Sequence, residues 1–355
     1  MTQPSVSLVD SDPAELAVDA IVIGLHSQPD AGGVLLPATG AESIAAAFDG
    51  KLTSTLALLG ATGALGEVTK LATLGTIAAP LVVAVGLGDE PSGSAPATET
   101  LRRGAGAAVR ALAGSPAVAL ALPLPDDADA PGVLRAILEG ALIGSYRFAG
   151  YKTKPQPGRR DPVAALQVYV PDAGDPAARS EVQRAEVVSR VVRLARDWVN
   201  MAPNELRPPQ FADVVVAAAD GTGLEVEVLD LDALKARGYG GIVAVGQGSE
   251  APPRLVKLSY TPAGIANPKR VALVGKGITF DTGGISIKPT AGMWEMKSDM
   301  AGAAAVGAAM LAVAALKPPV AVAGYLAMAE NMPSGSAYRP GDVITMFNGK
   351  RVEVL

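Results

Sequence analysis

Residues 271–300, VALVGKGITFDTGGISIKPTAGMWEMKSDM, run from an apolar strand through a glycine-rich loop into the start of a helix. That order commits this part of the chain to an α/β layer, because strand and helix each carry an apolar face that the other covers. Lys276, Asp281, Lys288 and Asp299 fall in the loop at close intervals, and Gly275, Gly277, Gly283, Gly284 and Gly292 leave room for backbone to approach a ligand. Lys276 is expected just after a strand over 271–274, and open α/β sheets bind their ligands at the carboxyl ends of strands. A solvated loop position explains any one of these charges by itself. Two lysines and two carboxylates together, between segments this apolar, point to a metal-centred hydrolytic site.

Composition narrows the chemistry. Thirty-five acidic against 30 basic residues leave a net charge of −5, which argues against a generally basic nucleic-acid-binding body. With no cysteine there is no disulfide framework, zinc finger or thiol nucleophile. His26 is the single histidine, so a His-rich zinc site is excluded and a Ser-His-Asp triad is disfavoured; His26 reads as structural. Oxygen and lysine donors remain. A lysine ligates only as the neutral amine, and removing its proton at neutrality costs roughly 4–5 kcal/mol from a reference pKa of ~10.4. A dication at bonding distance offsets that cost, and two ions roughly 3.5–4 Å apart can share a carboxylate and activate a water. Lys288 would then stay protonated and stabilise an oxyanion on the attacked carbonyl. Met293, Met296 and Met300 read either as core or as an apolar wall beside this site. The glycine-rich loop over 60–66 lacks the Lys-Ser/Thr ending of a phosphate loop and reads as a turn.

At 355 residues the chain exceeds what one core normally serves, so two domains are expected. Hydrophobic residues make up 49% and aromatics only 4%, so Val, Ala, Leu and Ile must build the core, as buried parallel strands do. Apolar runs predict strands over 6–9, 20–24, 68–74, 81–86, 117–122 and 166–170, and helices over 98–112 and 132–148. Pro and Gly clusters predict loops over 89–96 and 154–162. An amphipathic helix over 180–200, with Ser180 as its cap, is expected to link the domains. Beyond it, helices are predicted over 211–219, near Leu231 and over 299–316. Strands are predicted over 225–229, 242–245, 255–260, 271–274 and 320–328. Asn348-Gly349 reads as a two-residue hairpin turn leading into a final strand. The expected boundaries are 1–175, a linking helix and turn over 176–205, and 206–355. No basic n-region with an apolar run marks a secretory signal. The longest apolar segment, 301–316, falls short of the roughly 20 residues of a membrane span. A cytoplasmic protein without a membrane partner is expected.

At these residues the chain resembles the leucine aminopeptidase (cytosol aminopeptidase) family of two-metal exopeptidases. GKGITFDTGGISIKP and MKSDMAGAAAV are similar to that family's metal-binding segments; NMAPNELRP (200–208), AVGQGS (244–249), AENMPSGSAYRPGD (329–342) and EGALIGSYRFAGYKTK (139–154) are also family-like. The resemblance implies an α/β fold: an N-terminal macro-like α/β domain followed by a mixed-sheet α/β catalytic domain. It implies that Lys276, Asp281 and Asp299 are metal ligands, with Asp281 bridging, and that Lys288 is the catalytic lysine polarising the scissile carbonyl. Met296 would line the pocket for the first side chain, and the peptide's amino group would bind one metal near Asp299. The implied activity is metal-dependent release of N-terminal, preferably apolar, residues from peptides, with two divalent ions per subunit (Mn or Zn, with Mg as a further choice). The implied assembly is a homohexamer.

One departure stands out. Family members continue past a segment like GKRVEVL into N-T-D-A-E-G-R, which supplies further Asp and Glu ligands and an arginine that holds a bicarbonate acting as general base. This chain ends at Leu355. The expectation is an incomplete catalytic domain, a fragment without peptidase activity of its own, and a full-length protein that has it. The alternatives from other classes are a DNA-binding regulatory hexamer subunit and a non-catalytic oligomer; the acidic balance makes nucleic acid an unlikely partner.

Overall fold

The computed structural model describes residues 3–28, 34–89, 96–148, 150–154 and 157–355. The loops expected over 89–96 and 154–162 lie partly outside these residues. The chain divides into two compact units, Met1–Arg190 and Val191–Leu355.

The first unit begins with β1 (Ser5–Val9), β2 (Ala20–Gln28), β3 (Val34–Pro37), α1 (Glu42–Ala47), α2 (Leu52–Leu58), β4 (Val68–Ala72) and β5 (Leu81–Asp89). It continues through α3 (Thr98–Ala111), β6 (Ala117–Ala121), α4 (Ala130–Gly144) and β7 (Ala165–Tyr169). Its sheet runs β1-β7-β6-β2-β5-β4, with β3 antiparallel to β2 and β4 antiparallel to β5; the remaining pairs are parallel. Strand alternation sorts β2 between two cores. Ala20 and Val22 join one beneath α3 and α4, while Ile21, Ile23 and Leu25 join another with Ile44, Leu52 and Leu56 of α1 and α2. A sheet covered on both faces explains why its strands are apolar at nearly every position. The short helices α1 and α2 and the strand β3 were not expected from the sequence.

The helix α5 (Pro176–Asn200) spans the division, with Ala178 and Ala185 in a core of the first unit and Val191 and Trp198 in the core of the second. Its start lies upstream of the expected one. The Asp175 carboxylate accepts from the Ala177 and Ala178 amides, so Asp175 fills the capping role given to Ser180, which lies inside the helix. Pro176 at the first position supplies a preset φ.

The second unit holds α6 (Pro208–Ala219), β8 (Glu225–Leu229), α7 (Leu231–Ala236), α8 (Gly240–Gly246), β9 (Arg254–Tyr260) and β10 (Arg270–Asp281). After these come α9 (Ala301–Leu316), β11 (Ala321–Asn331), β12 (Val343–Thr345) and β13 (Arg351–Glu353). Its mixed sheet runs β10-β11-β9-β8, with only β10 and β11 parallel. Phe211, Val256, Leu258, Met300, Leu326 and Met328 fill the core. Residues Met293–Leu316 are the one helical stretch among the described residues long and apolar enough to cross a membrane. Within it, α9 buries Ala303, Ala304, Gly307, Ala308 and Met310 and packs on β10 and β11.

Three expectations change here. Residues 242–245 form part of the helix α8, not a strand. A run of four apolar residues carries no period that separates the two, and in the helix Ile242 and Val245 share one face, which a strand would split. The strand β10 runs on to Asp281, so Lys276 lies within it instead of after it. The closing hairpin has a three-residue loop, 347–349: Gly349 donates to the Met346 carbonyl at 2.8 Å, Met346 donates to Lys350, and Gly349 takes a φ of 80°.

Two glycines of α4 are expected to respond oppositely to alanine. At Gly132 a Cβ would meet nothing within 4 Å, whereas at Gly140 it would lie 2.0 Å from the Arg102 carbonyl of α3. Gly132→Ala should raise stability by roughly 0.5–1 kcal/mol. Gly140→Ala should lower it by about 1–3 kcal/mol, since overpacking exceeds the gain in helix propensity. Urea unfolding of both variants decides; equal shifts would refute the close helix contact.

Candidate metal centre

The site is built on an irregularity in β10. Lys276 and Asp281 are an odd number of positions apart, so a regular strand would send them to opposite faces. The register on β11 is Lys276↔Ala327, Ile278↔Ala329 and Asp281↔Asn331, with a shift between Ile278 and Asp281. One extra residue on β10 restores the parity, as a β-bulge does. Val274, Lys276, Ile278 and Asp281 accordingly line one cleft with Ala327, Ala329 and Asn331. Gly241, Ile242 and Val245 of α8 and Tyr338 complete its wall, around about 490 Å³.

The other face of β10 carries α9. A Cβ on Gly275 would lie 2.5 Å from the Gly302 carbonyl, and one on Gly277 would lie 3.1 Å from the Ala303 side chain. Glycine at these positions lets the helix seat directly on the strand. That contact brings Asp299, at the end of a 3-10 turn just before α9, within reach of Lys276: Nζ lies 2.8 Å from Oδ1. The second oxygen, Oδ2 of Asp299, is buried without a hydrogen-bond partner.

Asp281 is held on both oxygens. Lys288 Nζ lies 2.9 Å from Oδ2, while the Gly283 amide donates to Oδ1 at 3.0 Å and Asn331 Nδ2 at 2.8 Å. Gly283 has a φ of 88°, and a Cβ there would lie 2.4 Å from the Ser286 carbonyl, so the loop that delivers Lys288 needs glycine twice over. Burial alone raises the Asp281 carboxyl, but hydrogen bonds from Lys288, the Gly283 amide and Asn331 outweigh it and hold the group below its ordinary value. The same hydrogen bond raises the Lys288 ammonium and keeps it protonated.

All four charged residues singled out in the sequence therefore meet, as the pairs Lys276–Asp299 and Lys288–Asp281. Of the methionines, Met300 is core, while Met293 and Met296 are half-buried and neither lines the cleft. His26 is buried, with Nδ1 3.3 Å from the Gly88 carbonyl. The loop over 60–66 is a closed turn: the Glu67 carboxylate accepts from the Thr62 and Gly63 amides and the Thr62 hydroxyl, so those donors are already taken. Asn331 went unrecognised as a site residue, although the motif AENMPSGSAYRPGD contains it; no period or charge marks an amide.

The donor set fits a divalent cation in part. Asp299 Oδ2 is an anionic oxygen without a donor, a state that costs about 1–3 kcal/mol or more and that a cation would relieve. Among the described residues no three Asp, Glu or His side chains converge, so lysine has to be counted in the set.

Two family models match the chain: the cytosol aminopeptidase family N-terminal domain over residues 22–155, and the catalytic domain of the same family over 193–355. Among curated relatives, a probable cytosol aminopeptidase of Streptomyces avermitilis is 50% identical over 96% of this chain and 66% of its own length. One from Micrococcus luteus is 49% identical over 96% and 65%. The chain thus spans just under two thirds of the length of these relatives. Among solved structures, the bottromycin maturation enzyme BotP in complex with Mn superposes with a TM-score of 0.74 at 34% identity, covering 95% of this chain and 65% of that one. A tomato leucine aminopeptidase mutant superposes with a TM-score of 0.83 at 25% identity, covering 100% and 68%.

The pairing makes a prediction for the metal-free protein. The folded Asp281 carboxyl lies below its ordinary value, so its contribution to stability is full above the ordinary carboxylate range and is lost as pH falls through the folded value. Lys288→Met removes the strongest contact lowering it, so Asp281 should titrate higher in a ¹³C NMR titration. An unchanged titration would break the pairing.

Proposed function

The chain belongs to the cytosol aminopeptidase family, and on that premise we propose that it carries the metal-binding and carbonyl-polarising part of an aminopeptidase that releases apolar residues from peptide N-termini. The observation that carries this reading is the convergence of two lysines on two carboxylates at the bulged end of β10. Lys276, Asp281 and Asp299 are the proposed metal ligands, with Mn or Zn as the ions, two in the family pattern. When bound, such ions supply a water acidic enough to attack at neutral pH.

The chain's own residues do the rest. Lys288, kept protonated by Asp281, is the donor for the oxyanion that develops on the attacked carbonyl. Asn331 and the Gly283 amide hold the Asp281 carboxylate in one orientation, so its charge needs no reorganisation during reaction. Asp299 is the anionic partner proposed for the peptide's amino group, which would restrict the reaction to chain ends. Met296 lies outside the cleft lining, but its carbonyl accepts from the Asp299 amide, and on that proximity it is the proposed wall against the first side chain.

Peptides are the proposed substrates and the cytoplasm the proposed location, in keeping with the names of the relatives; a homohexamer is the proposed assembly, on the family resemblance alone. A DNA-binding role has no observation in its favour.

Hydrolysis of leucine p-nitroanilide tests the proposal in a chimera that joins this chain to the part of the Streptomyces avermitilis relative it does not match. Metal-stripped protein should be inactive and recover with Mn. Lys288→Ala should lower kcat by about 10²–10³-fold, the range for loss of one oxyanion donor. Turnover indifferent to chelation, or to Lys288, sinks the assignment.

A further inference from the structure

Of three family-like motifs, NMAPNELRP, AVGQGS and AENMPSGSAYRPGD, only Asn331 of the last has a role in the mechanism above, yet all three meet at one buried carboxylate. Glu330 is 5% exposed. Arg207 Nη2 donates to its Oε2 at 2.9 Å, Ser249 Oγ donates to the same oxygen at 2.5 Å, and Arg207 Nη2 lies 3.3 Å from Ser249 Oγ, closing a triangle. Burial of a carboxylate is tolerated only with partners of this kind, so losing one of them leaves the charge poorly compensated.

The next residue is Asn331. Strand alternation sends it to the face opposite Glu330, where it lines the cleft and donates to Asp281. Its carbonyl accepts from the Thr282 amide at 3.0 Å and from the Thr282 hydroxyl at 2.7 Å, binding the end of β11 to the loop that follows Asp281. A Cβ on Gly284 would lie 2.8 Å from Asn331 Oδ1, so the amide is packed against that loop as well.

We propose that Arg207, Ser249 and Glu330 form a positioning clamp that acts through Asn331 to hold Asp281 in its metal-binding orientation. None of the three touches the reacting groups. Their effect passes along one peptide unit of β11 and through one side-chain hydrogen bond. The proposal rests on the metal reading above and assigns to these residues the tuning of that site's affinity.

The test is Mn²⁺ binding to the 355-residue chain, followed by EPR, with folding monitored by circular dichroism. Glu330→Gln should weaken Mn²⁺ binding about 10-fold, the lower end of the range for losing an outer partner of a ligand. In an Asn331→Ala background the same substitution should weaken it no further, because the path is already cut. Ser249→Ala keeps the Arg207–Glu330 pair and should give a smaller loss with the same dependence on Asn331; it carries the test if Glu330→Gln fails to fold. Folded variants that bind Mn²⁺ like the unsubstituted chain overturn the clamp alone, as do losses that add to that of Asn331→Ala. An unsubstituted chain that does not bind Mn²⁺ overturns both the clamp and the metal reading beneath it.

Discussion

The site depends on a parity constraint in one strand. Side chains of a strand alternate between faces, and Lys276 and Asp281 are separated by an odd step. Without the extra residue between Ile278 and Asp281, one of them would face α9 and the other the cleft. The bulge solves this locally, at the point where β10 is about to end, and leaves Gly275 and Gly277 in register on the opposite face. There α9 needs them bare, because its own Gly302 and Ala303 come within contact of the strand. The seating of the helix fixes Asp299, and the bulge fixes Asp281. The two carboxylates thus reach one neighbourhood from different elements.

Charge balance follows from that geometry. Each carboxylate in the cluster is met by one ammonium, and Asp281 has two further donors. The two acids are not equivalent. Asp281 is saturated on both oxygens, whereas Asp299 keeps one buried oxygen without a donor. An incoming cation would find its readiest position at Asp299, where the competing lysine, Lys276, is the more exposed of the two. Lys288, tied to Asp281, is the better placed to remain an ammonium.

What the sequence made visible was decided by periodicity and chemistry, and what it hid was decided by pairing. The strands over 20–24, 81–86 and 117–122 stand out because parallel strands buried on both faces are apolar at every position. The amphipathic stretch of α5 stands out as a helix, but its first turn, Pro-Ala-Ala-Arg, has no large apolar residue to extend the period, so Asp175 was missed in favour of Ser180. Residues 242–245 are too short for either period to declare itself. Lys276, Asp281, Lys288 and Asp299 were recognisable because charge beside glycine between apolar runs is rare. The bulge was not, because it exists only relative to β11. Asn331 and Glu330 were hidden for a related reason: an amide and a carboxylate at a strand's end carry meaning only once their partners from distant motifs are in place.

In these 355 residues β10 lies at the edge of its sheet, which bears on how the chain behaves in solution. An edge strand presents unpaired amides and carbonyls, and here it also exposes Val271 and Val274, the latter 75% accessible. Long apolar edges of this kind template the addition of another strand. The backbone that aims Lys276 and Asp281 is therefore also backbone open to pairing with a foreign strand. Any strand that docked there would brace or distort the bulge, so solubility and site geometry are coupled through one strand. Changes that blunt this edge with charge would be bought at the site's expense.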